Sequence, residues 1–197
     1  HQHIAYFQEA FGLPQEKFAR VLVGAQDQYF EAHSGPFRSE QADVDGPCEV
    51  FFYGKFAPLH GIESIVKAAH ALKDHARLRW TIVGGGQTFD EIQKLTEELG
   101  VVNQIDFIPW LEPEQLIERV QSASIALGIF GATAKASRVV PNKVYQCLAL
   151  GVPVITGRSP ATEELFRDGD ELMLCAMNDP DALANAIVRA CHDSEMR

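Results

Sequence analysis

The sequence has no long apolar run and no surplus of positive charge, and each absence excludes a class of protein. Its 17 lysines and arginines face 27 aspartates and glutamates, which gives a formal net charge of -10 at pH 7. A general binding surface for nucleic acid or anionic lipid needs a basic face. No apolar run approaches the ~18 residues of a membrane-spanning helix. We therefore predict a soluble globular protein that does not bind nucleic acid.

Cysteine is also scarce. The four cysteines are far apart and form no CxxC pair, which argues against a clustered metal site. Cys147 and Cys175 lie within apolar runs, as reduced core residues do. We predict structural, reduced cysteines at these positions and at Cys48 and Cys191, rather than a disulfide or metal role, and hence a cytoplasmic location. The seven histidines are equally scattered, and we predict no bound metal.

From Pro47 onward, short apolar runs alternate with amphipathic helical patterns. The predicted strands are 48–54, 78–84, 104–108, 124–130, 152–156 and 171–176. Runs that are apolar throughout are typical of strands buried on both faces of a parallel sheet. Strict alternation of strands and helices predicts an α/β fold, a doubly wound Rossmann-like sheet of about six parallel strands with helices on both faces.

The first 46 residues do not follow this alternation. Residues 5–11 are predicted to end a helix, 18–23 to form a strand and 26–46 to form a linker. We therefore predict a Rossmann-like domain at 47–197, preceded at 1–46 by the tail of a neighbouring domain and the linker. Because the chain opens in mid-pattern at His1, we expect it to be a fragment of a longer protein.

The loop after the first predicted strand places a glycine, a lysine and a second glycine close together. Gly54 precedes Lys55, and His60 and Gly61 stand at the entry to the next helix. In this fold ligands bind at the carboxyl ends of strands. A glycine that lets backbone approach and a nearby cation suit a phosphate, although the loop is not a Walker motif. A plain turn with a solvated lysine is the structural alternative.

Two further loops follow predicted strands. Gly84, Gly85 and Gly86 suit a phosphate or sugar lying close to backbone, or simply a tight turn; the third glycine of a dinucleotide fingerprint is missing. The loop of Pro109, Trp110 and Leu111 precedes a helix that begins with proline. Trp110 is predicted either to pack inside the fold or to shape a pocket for a flat base.

Three cations lie between the fourth predicted strand and the next helix, in IFGATAKASRVVPNKVYQC. Asn142 is predicted to cap this helix and Lys143 to be its first residue. A cation at a helix N-terminus is unfavourable for the helix itself, so we predict that Lys143 binds an anion. Gln146, one turn further, is predicted to reach a ribose hydroxyl, and Lys135 and Arg138 to close over the ligand. The ligand that fits is one with two phosphates.

Six motifs, in order and spacing, carry a resemblance to a known family. They are GKFAPLHGIE, WTIVGGG, IDFIPWL, PNKVYQCLALGVPVIT, SPATEELFRDG and DPDALANAI. Together they resemble the C-terminal, donor-binding domain of GT-B fold glycosyltransferases of the family 4 (group 1) type, over residues 47–193. The resemblance implies that this domain binds a UDP- or GDP-sugar and faces an acceptor-binding N-terminal domain of the same protein.

The resemblance also implies a reaction. The glycosyl group would pass, with retention and without a metal or other cofactor, to a saccharide or lipid-linked acceptor in polysaccharide biosynthesis. This chain alone would be incomplete and inactive. Any peripheral contact with a membrane would be made by the missing half.

Individual residues take their implied roles from the family's motifs. Lys55 falls at the first pyrophosphate-contacting cation and Lys143 at a phosphate-binding lysine. His60 stands where a lysine is usual, which is a departure. Residues 109–111 correspond to the base-binding loop, and Glu164 to an acidic residue near the sugar or the helix start.

A larger departure concerns the family's pair of glutamates eight positions apart, which here are Arg138 and Gln146. Gln146 can still hydrogen-bond a ribose, but Arg138 cannot act as a carboxylate beside the transferred sugar. Either this protein holds the sugar differently and its cations contact the phosphates, or the domain is inactive. The number of cations in this segment favours the different mode of sugar binding. The alternatives are a nucleotide-sugar epimerase, a dinucleotide-binding Rossmann module and a catalytically inactive nucleotide-binding module.

Overall fold

The computed structural model describes residues 2–21, 23–32 and 46–192. Within these residues, six strands follow one another: β1 (Cys48–Tyr53), β2 (Leu78–Val83), β3 (Ile105–Ile108), β4 (Ile125–Leu127), β5 (Val154–Gly157) and β6 (Met173–Cys175). The α-helices are α1 (Gln2–Phe11), α2 (Asp27–Ala32), α3 (Ile62–Ala71), α4 (Phe89–Glu98), α5 (Pro113–Ser122), α6 (Asn142–Ala149), α7 (Pro160–Glu163) and α8 (Pro180–His192).

The strands form one parallel sheet in the order β3-β2-β1-β4-β5-β6. The predicted doubly wound Rossmann-like fold is therefore confirmed. The strand order reverses between β1 and β4, and in such sheets the crevice outside the carboxyl ends at this reversal is where ligands bind. The loops after β1 and β4 lie on either side of that point.

Successive side chains of a strand pack into two separate hydrophobic cores, one on each face of the sheet. Phe52 faces the core that contains α3, α4 and α8, and its neighbour Phe51 faces the one that contains α2, α5 and α6. Both side chains are fully buried. Because successive side chains of a strand point to opposite faces, a run of large apolar residues such as that in β1 requires cover on both sides.

Two of the helices begin with a side-chain cap. Ser159 Oγ accepts a hydrogen bond from Thr162 N–H at the start of α7, and Asp179 Oδ1 accepts one from Ala182 N–H at the start of α8. These bonds satisfy N–H groups that the first turn of a helix leaves without partners.

One prediction for the N-terminal region was wrong. Residues 18–21 and 23 form no strand; Val21 is 85% exposed, and no strand lies beside this segment in the described part of the chain to complete a ladder. The segment predicted as a linker contains the short helix α2, whose Tyr29 is buried in the core beside α6. The predicted helix end at 5–11 belongs to α1, and residues 33–45 of the predicted linker lie outside the described residues.

The prediction of four reduced cysteines was also wrong, because Cys48 and Cys191 form a disulfide. The two lie 143 positions apart in sequence, yet the fold brings the end of α8 to the start of β1, with their Cα atoms 6.3 Å apart. Cys147 and Cys175 are free and buried, as predicted. Cysteine usage therefore does not support the predicted cytoplasmic location. Among the described helices, none is long and apolar enough to cross a membrane.

The loops after β1 and β2 interlock through glycine. The N–H of Gly54 donates to Val83 O, and the N–H of Gly84 donates to Ile108 O, so each loop is tied to the end of the next strand. Gly84 has φ of 128°, and a Cβ atom built on it would lie 2.1 Å from Gly54 O. Glycine is therefore required at position 84 by the backbone itself.

We predict that Gly84→Ala lowers the free energy of unfolding by at least about 2 kcal/mol, because it adds backbone strain and a backbone clash. Gly85→Ala is the matched control, since a Cβ there meets nothing within 4 Å, and its effect should stay within about 0.5 kcal/mol. Chemical denaturation of both variants measures the difference. Equal stability of the two variants would contradict the interlocked geometry.

Candidate functional site

The ammonium group of Lys143 is buried at the carboxyl edge of β1. The residue is 7% exposed, and Nζ has no hydrogen-bond partner in the described structure. It lies 3.7 Å from the centroid of the Phe52 ring. A Cβ on Gly54 would be 2.8 Å from this nitrogen, so the glycine leaves space for it. Unpaired buried cations are rare because desolvation is costly, and this one lies where the fold places ligands.

Burial lowers the pKa of Lys143 to about 7, an effect that the neighbouring Cys147 opposes. The same burial raises the pKa of the Cys147 thiol to about 12, against the effects of its hydrogen bond with Tyr53 and of Lys143. The thiol is therefore neutral at pH 7 and cannot serve as a counter-ion. Lys143 is poised between its charged and neutral forms, and an anion placed beside it would favour the charged form.

His60 lies beside Lys143 but is not a second cation. Burial, and then the charge of Lys143, lower its pKa to about 4, while its hydrogen bond to Lys55 backbone opposes the shift. Its Nδ1 donates to the carbonyl oxygen of Lys55. The imidazole is thus neutral at pH 7 and fixes the turn that follows Gly54. The Lys55 side chain itself is exposed.

Gly61 joins the loop after β1 to the loop after β4. Its φ is 63°, and a Cβ there would lie 2.5 Å from Gly131 N. A Cβ on Gly131 would in turn lie 2.1 Å from Pro58 O. This backbone-to-backbone contact explains glycine at both positions by packing alone, whatever ligand binds nearby.

Helix α6 begins without a side-chain cap. Pro141, in an extended conformation with φ -72° and ψ 148°, is the N-cap residue, and Asn142 is the first helical residue. The prediction that Asn142 caps the helix was therefore wrong by one position: the last extended residue is the proline, and Asn142 already has helical backbone angles. Lys143 is the second helical residue, in the first turn where N–H groups and the helix dipole attract anions.

Gln146 is buried one turn along α6 and is held on both sides. Its Oε1 accepts a hydrogen bond of 2.8 Å from Tyr53 Oη, and its Nε2 donates to Gln26 Oε1 at 3.0 Å. No local pattern indicates either partner, since Gln26 lies 120 positions away from Gln146. A ribose contact by Gln146 stays a prediction, and its amide has a second N–H with which to make it.

Arg138 and Glu164 lie on the other side of the α6 N-terminus. The guanidinium of Arg138 stacks on the Tyr6 ring of α1, with Cζ 4.1 Å from the ring centroid. Glu164 follows the short helix α7 and pairs with Arg20 at 2.9 Å. Lys135 is exposed. The three predicted cations of this segment therefore do not converge on one point.

Trp110 does not pack inside the fold. It is 71% exposed, and its Nε1 donates to Glu112 Oε1 at 3.3 Å. Pro109 is exposed and Leu111 is half-buried. The loop follows β3, and Ile108 O accepts the N–H of Gly84, so this apolar surface adjoins the glycine loop. Gly86 is exposed, with φ of 146°.

The structure thus collects Gly54, His60 and Lys143 at one point and Arg138, Asn142 and Glu164 at another. Phe52 and Tyr53, which surround the ammonium of Lys143, were missed as part of the site, although two aromatics directly before Gly54 were a visible signal. Among the residues that the structure describes, no three His, Cys, Asp or Glu side chains are placed to hold a metal ion.

Comparison with known proteins now identifies the family. A family model described as "Glycosyl transferases group 1" matches residues 36–197. The chain belongs to this family. The resemblance drawn from the six sequence motifs is therefore confirmed.

Individual relatives agree with the assignment. The D-inositol 3-phosphate glycosyltransferase of Acidothermus cellulolyticus is 32% identical over 156 residues, which are 74% of this chain and 34% of that protein. The chain therefore spans about a third of this relative's length.

Solved structures share the fold at low sequence identity. Anabaena Alr3699/HepE, in complex with UDP-glucose, superposes with a TM-score of 0.78 at 15% identity, over 98% of this chain and 52% of that one. The C-terminal domain of the group 1 protein LpcC from Francisella tularensis has a TM-score of 0.68 at 16% identity, over 88% and 90% of the two chains. The second match extends over nearly all of an isolated C-terminal domain.

We predict that Lys143→Met stabilises the unliganded chain at pH 7, because it removes a buried ammonium group. The folded pKa of Lys143 is lowered to about 7 from 10.5, so between these values the unfolded chain binds more protons and wild-type stability rises with pH. The advantage of the variant should shrink by up to about 1.4 kcal/mol per pH unit between pH 7.5 and 9.5.

Urea denaturation at several pH values measures this gap, since titrations common to both proteins cancel. Lys73→Met, at an exposed position, is the control, and its free energy of unfolding should depend on pH as that of wild type does. If the free energy of unfolding of Lys143→Met also changed with pH as that of wild type does, the ammonium group would be solvated and the prediction would be wrong.

Proposed function

We propose that this chain is the donor-binding part of a glycosyltransferase and binds a nucleoside-diphosphate sugar. The observation that carries the proposal is the buried, unpartnered Nζ of Lys143 beside an uncapped helix terminus. The sequence has 27 acidic residues, and none in the described structure pairs with this amine. A bound anion would supply the missing partner.

The diphosphate would lie over the first turn of α6. There the free N–H groups and dipole of the helix act together with Lys143, and the exposed side chain of Lys55 can reach from the loop after Gly54. Such preorganised charge stabilises the diphosphate as it leaves the sugar, the term that usually dominates catalysis of this kind. We propose that these groups carry the developing charge without a metal ion.

The base would lie against the loop of Pro109, Trp110 and Leu111, where the exposed indole offers a stacking surface. The ribose would then lie between this loop and Gln146. The backbone of the glycine loop at 84–86 would lie close to the ribose. UDP is the first nucleotide to test, because HepE, which shares this fold, has been crystallised with UDP and with UDP-glucose. GDP is the second.

The acceptor belongs to the part of the protein that this chain does not include. The chain spans about a third of the length of the Acidothermus cellulolyticus relative and about half of the length of HepE. We therefore propose that an N-terminal domain of the same protein binds a saccharide or lipid-linked acceptor. Residues 1–46 would be its tail and the linker. Retention of configuration is proposed from the family, and any membrane contact would be made by that half.

One observation favours a second function. Arg138 stacks on Tyr6 and Gln146 is held by Tyr53 and Gln26, so neither position offers a carboxylate to the transferred sugar. A nucleotide-binding domain without catalytic activity would have these features too. Turnover of a nucleotide sugar by the full-length protein distinguishes the two, and conversion to an epimer would identify an epimerase instead.

We predict that one of UDP, GDP and ADP binds this chain, measured by titration calorimetry, and that Lys143→Met weakens binding about ten- to a hundredfold through loss of a charge-assisted contact. Lys73→Met is the matched control and should bind as wild type does. If NAD binds in preference to every nucleoside diphosphate, or if Lys143→Met binds as tightly as wild type, the proposed site is wrong.

A further inference from the structure

A cavity of about 520 Å³ lies between the N-terminal segment and the α6–α7 region. Its polar lining consists of Gln2, His3, Arg20, Arg138, Asn142, Tyr145 and Glu164. Apolar side chains, among them Val140 and Leu165, complete the wall. The cavity therefore combines an apolar body with a few polar groups, as pockets for small ligands do.

The charges in this wall are not balanced. Among the described residues of the lining, Glu164 is the one carboxylate, and Arg20 pairs with it at 2.9 Å. Arg138 makes no ion pair with any described residue. In a chain of net charge -10, a half-buried arginine without a carboxylate is a local excess of positive charge. A ligand that bears a negative group would neutralise it.

The contact of Arg138 with Tyr6 does not use its hydrogen-bond donors. Cζ of the guanidinium lies over the face of the Tyr6 ring, 4.1 Å from the centroid. The five N–H donors of a guanidinium point outward in its plane and match a carboxylate or phosphate through two parallel bonds. Stacking therefore holds the group in place without using those donors.

The cavity adjoins the proposed diphosphate position at the start of α6. Asn142 lines the cavity, and the next residue, Lys143, points to the other side, toward Gly54. A ligand whose diphosphate lies over the first turn of α6 would have its next group at the cavity mouth.

We propose that this cavity binds a sugar that carries a negative group, a carboxylate or a phosphate, and that Arg138 recognises that group. The inference rests on the proposed function and extends it to the class of sugar. The anionic sugar has two possible sources, the transferred sugar of the donor or a separate acceptor molecule, and two arms of one experiment separate them.

The first arm compares UDP-glucuronate with UDP-glucose, which differ only in the carboxylate at C6, by titration calorimetry. The second arm titrates free glucuronate and glucose 6-phosphate against neutral glucose, with and without saturating UDP, followed by ligand NMR. Both arms use the wild-type chain, Arg138→Gln and Arg138→Lys, which keeps the charge but loses the two-pronged geometry. Arg167→Gln, which removes the same charge from an 82% exposed side chain outside the cavity, is the control.

We expect wild type to favour the anionic ligand by about tenfold in one arm. Arg138→Gln should abolish that preference, Arg138→Lys should reduce it, and Arg167→Gln should keep it. A preference in the first arm assigns the anion to the donor sugar, and one in the second arm alone assigns it to a separate molecule. The inference is overturned if both arms show no preference, or if the preference survives Arg138→Gln.

Failure of the proposed function is a separate outcome. If UDP and its sugars do not bind at all, the donor site is in question, while the free sugars still test the cavity. If UDP binds and neutral and anionic ligands are equivalent throughout, only the inference about Arg138 fails.

Discussion

The proposed site depends on one constraint, the free-energy cost of burying the ammonium group of Lys143 without a hydrogen-bond partner. Lys143 has little to offset its burial: its charge is desolvated and opposes the dipole of its own helix, and in the described structure its amine meets the Phe52 and Tyr53 rings but no hydrogen-bond partner. Its burial therefore has a cost that only a ligand repays. A diphosphate at the same helix terminus would reverse all of these terms, because it pairs the charge and uses the dipole.

The fold supplies this position through the order of its strands. Because β1 and β4 are neighbours with crossovers in opposite directions, the loops that follow them leave an open crevice. Glycines at 54, 61, 84 and 131 let these loops approach each other at backbone distance. The crevice thus has walls with little freedom to shift, which suits a preorganised electrostatic site.

Much of this could be predicted from the sequence, and the failures have physical reasons. Alternating apolar runs and helical stripes predict the sheet and its helices because burial on both faces leaves a local pattern. The Cys48–Cys191 disulfide, the Tyr6–Arg138 stack and the Gln26–Gln146 bond join residues more than 100 positions apart, and no local pattern encodes such contacts. Lys143 could be placed at a helix start, but its burial depends on Phe52 and Tyr53 from a distant strand.

The most direct test is whether the chain takes up a proton when it binds a nucleotide. At pH 8 an amine with a pKa of about 7 is mostly neutral, and a diphosphate beside it would restore its charge. Calorimetric titration with UDP or GDP in two buffers of different ionisation enthalpy should reveal uptake of about one proton per nucleotide. Lys143→Met should take up none. Identical binding heats in the two buffers for wild type would contradict the central claim, because they would show that Lys143 does not change its charge when the nucleotide binds.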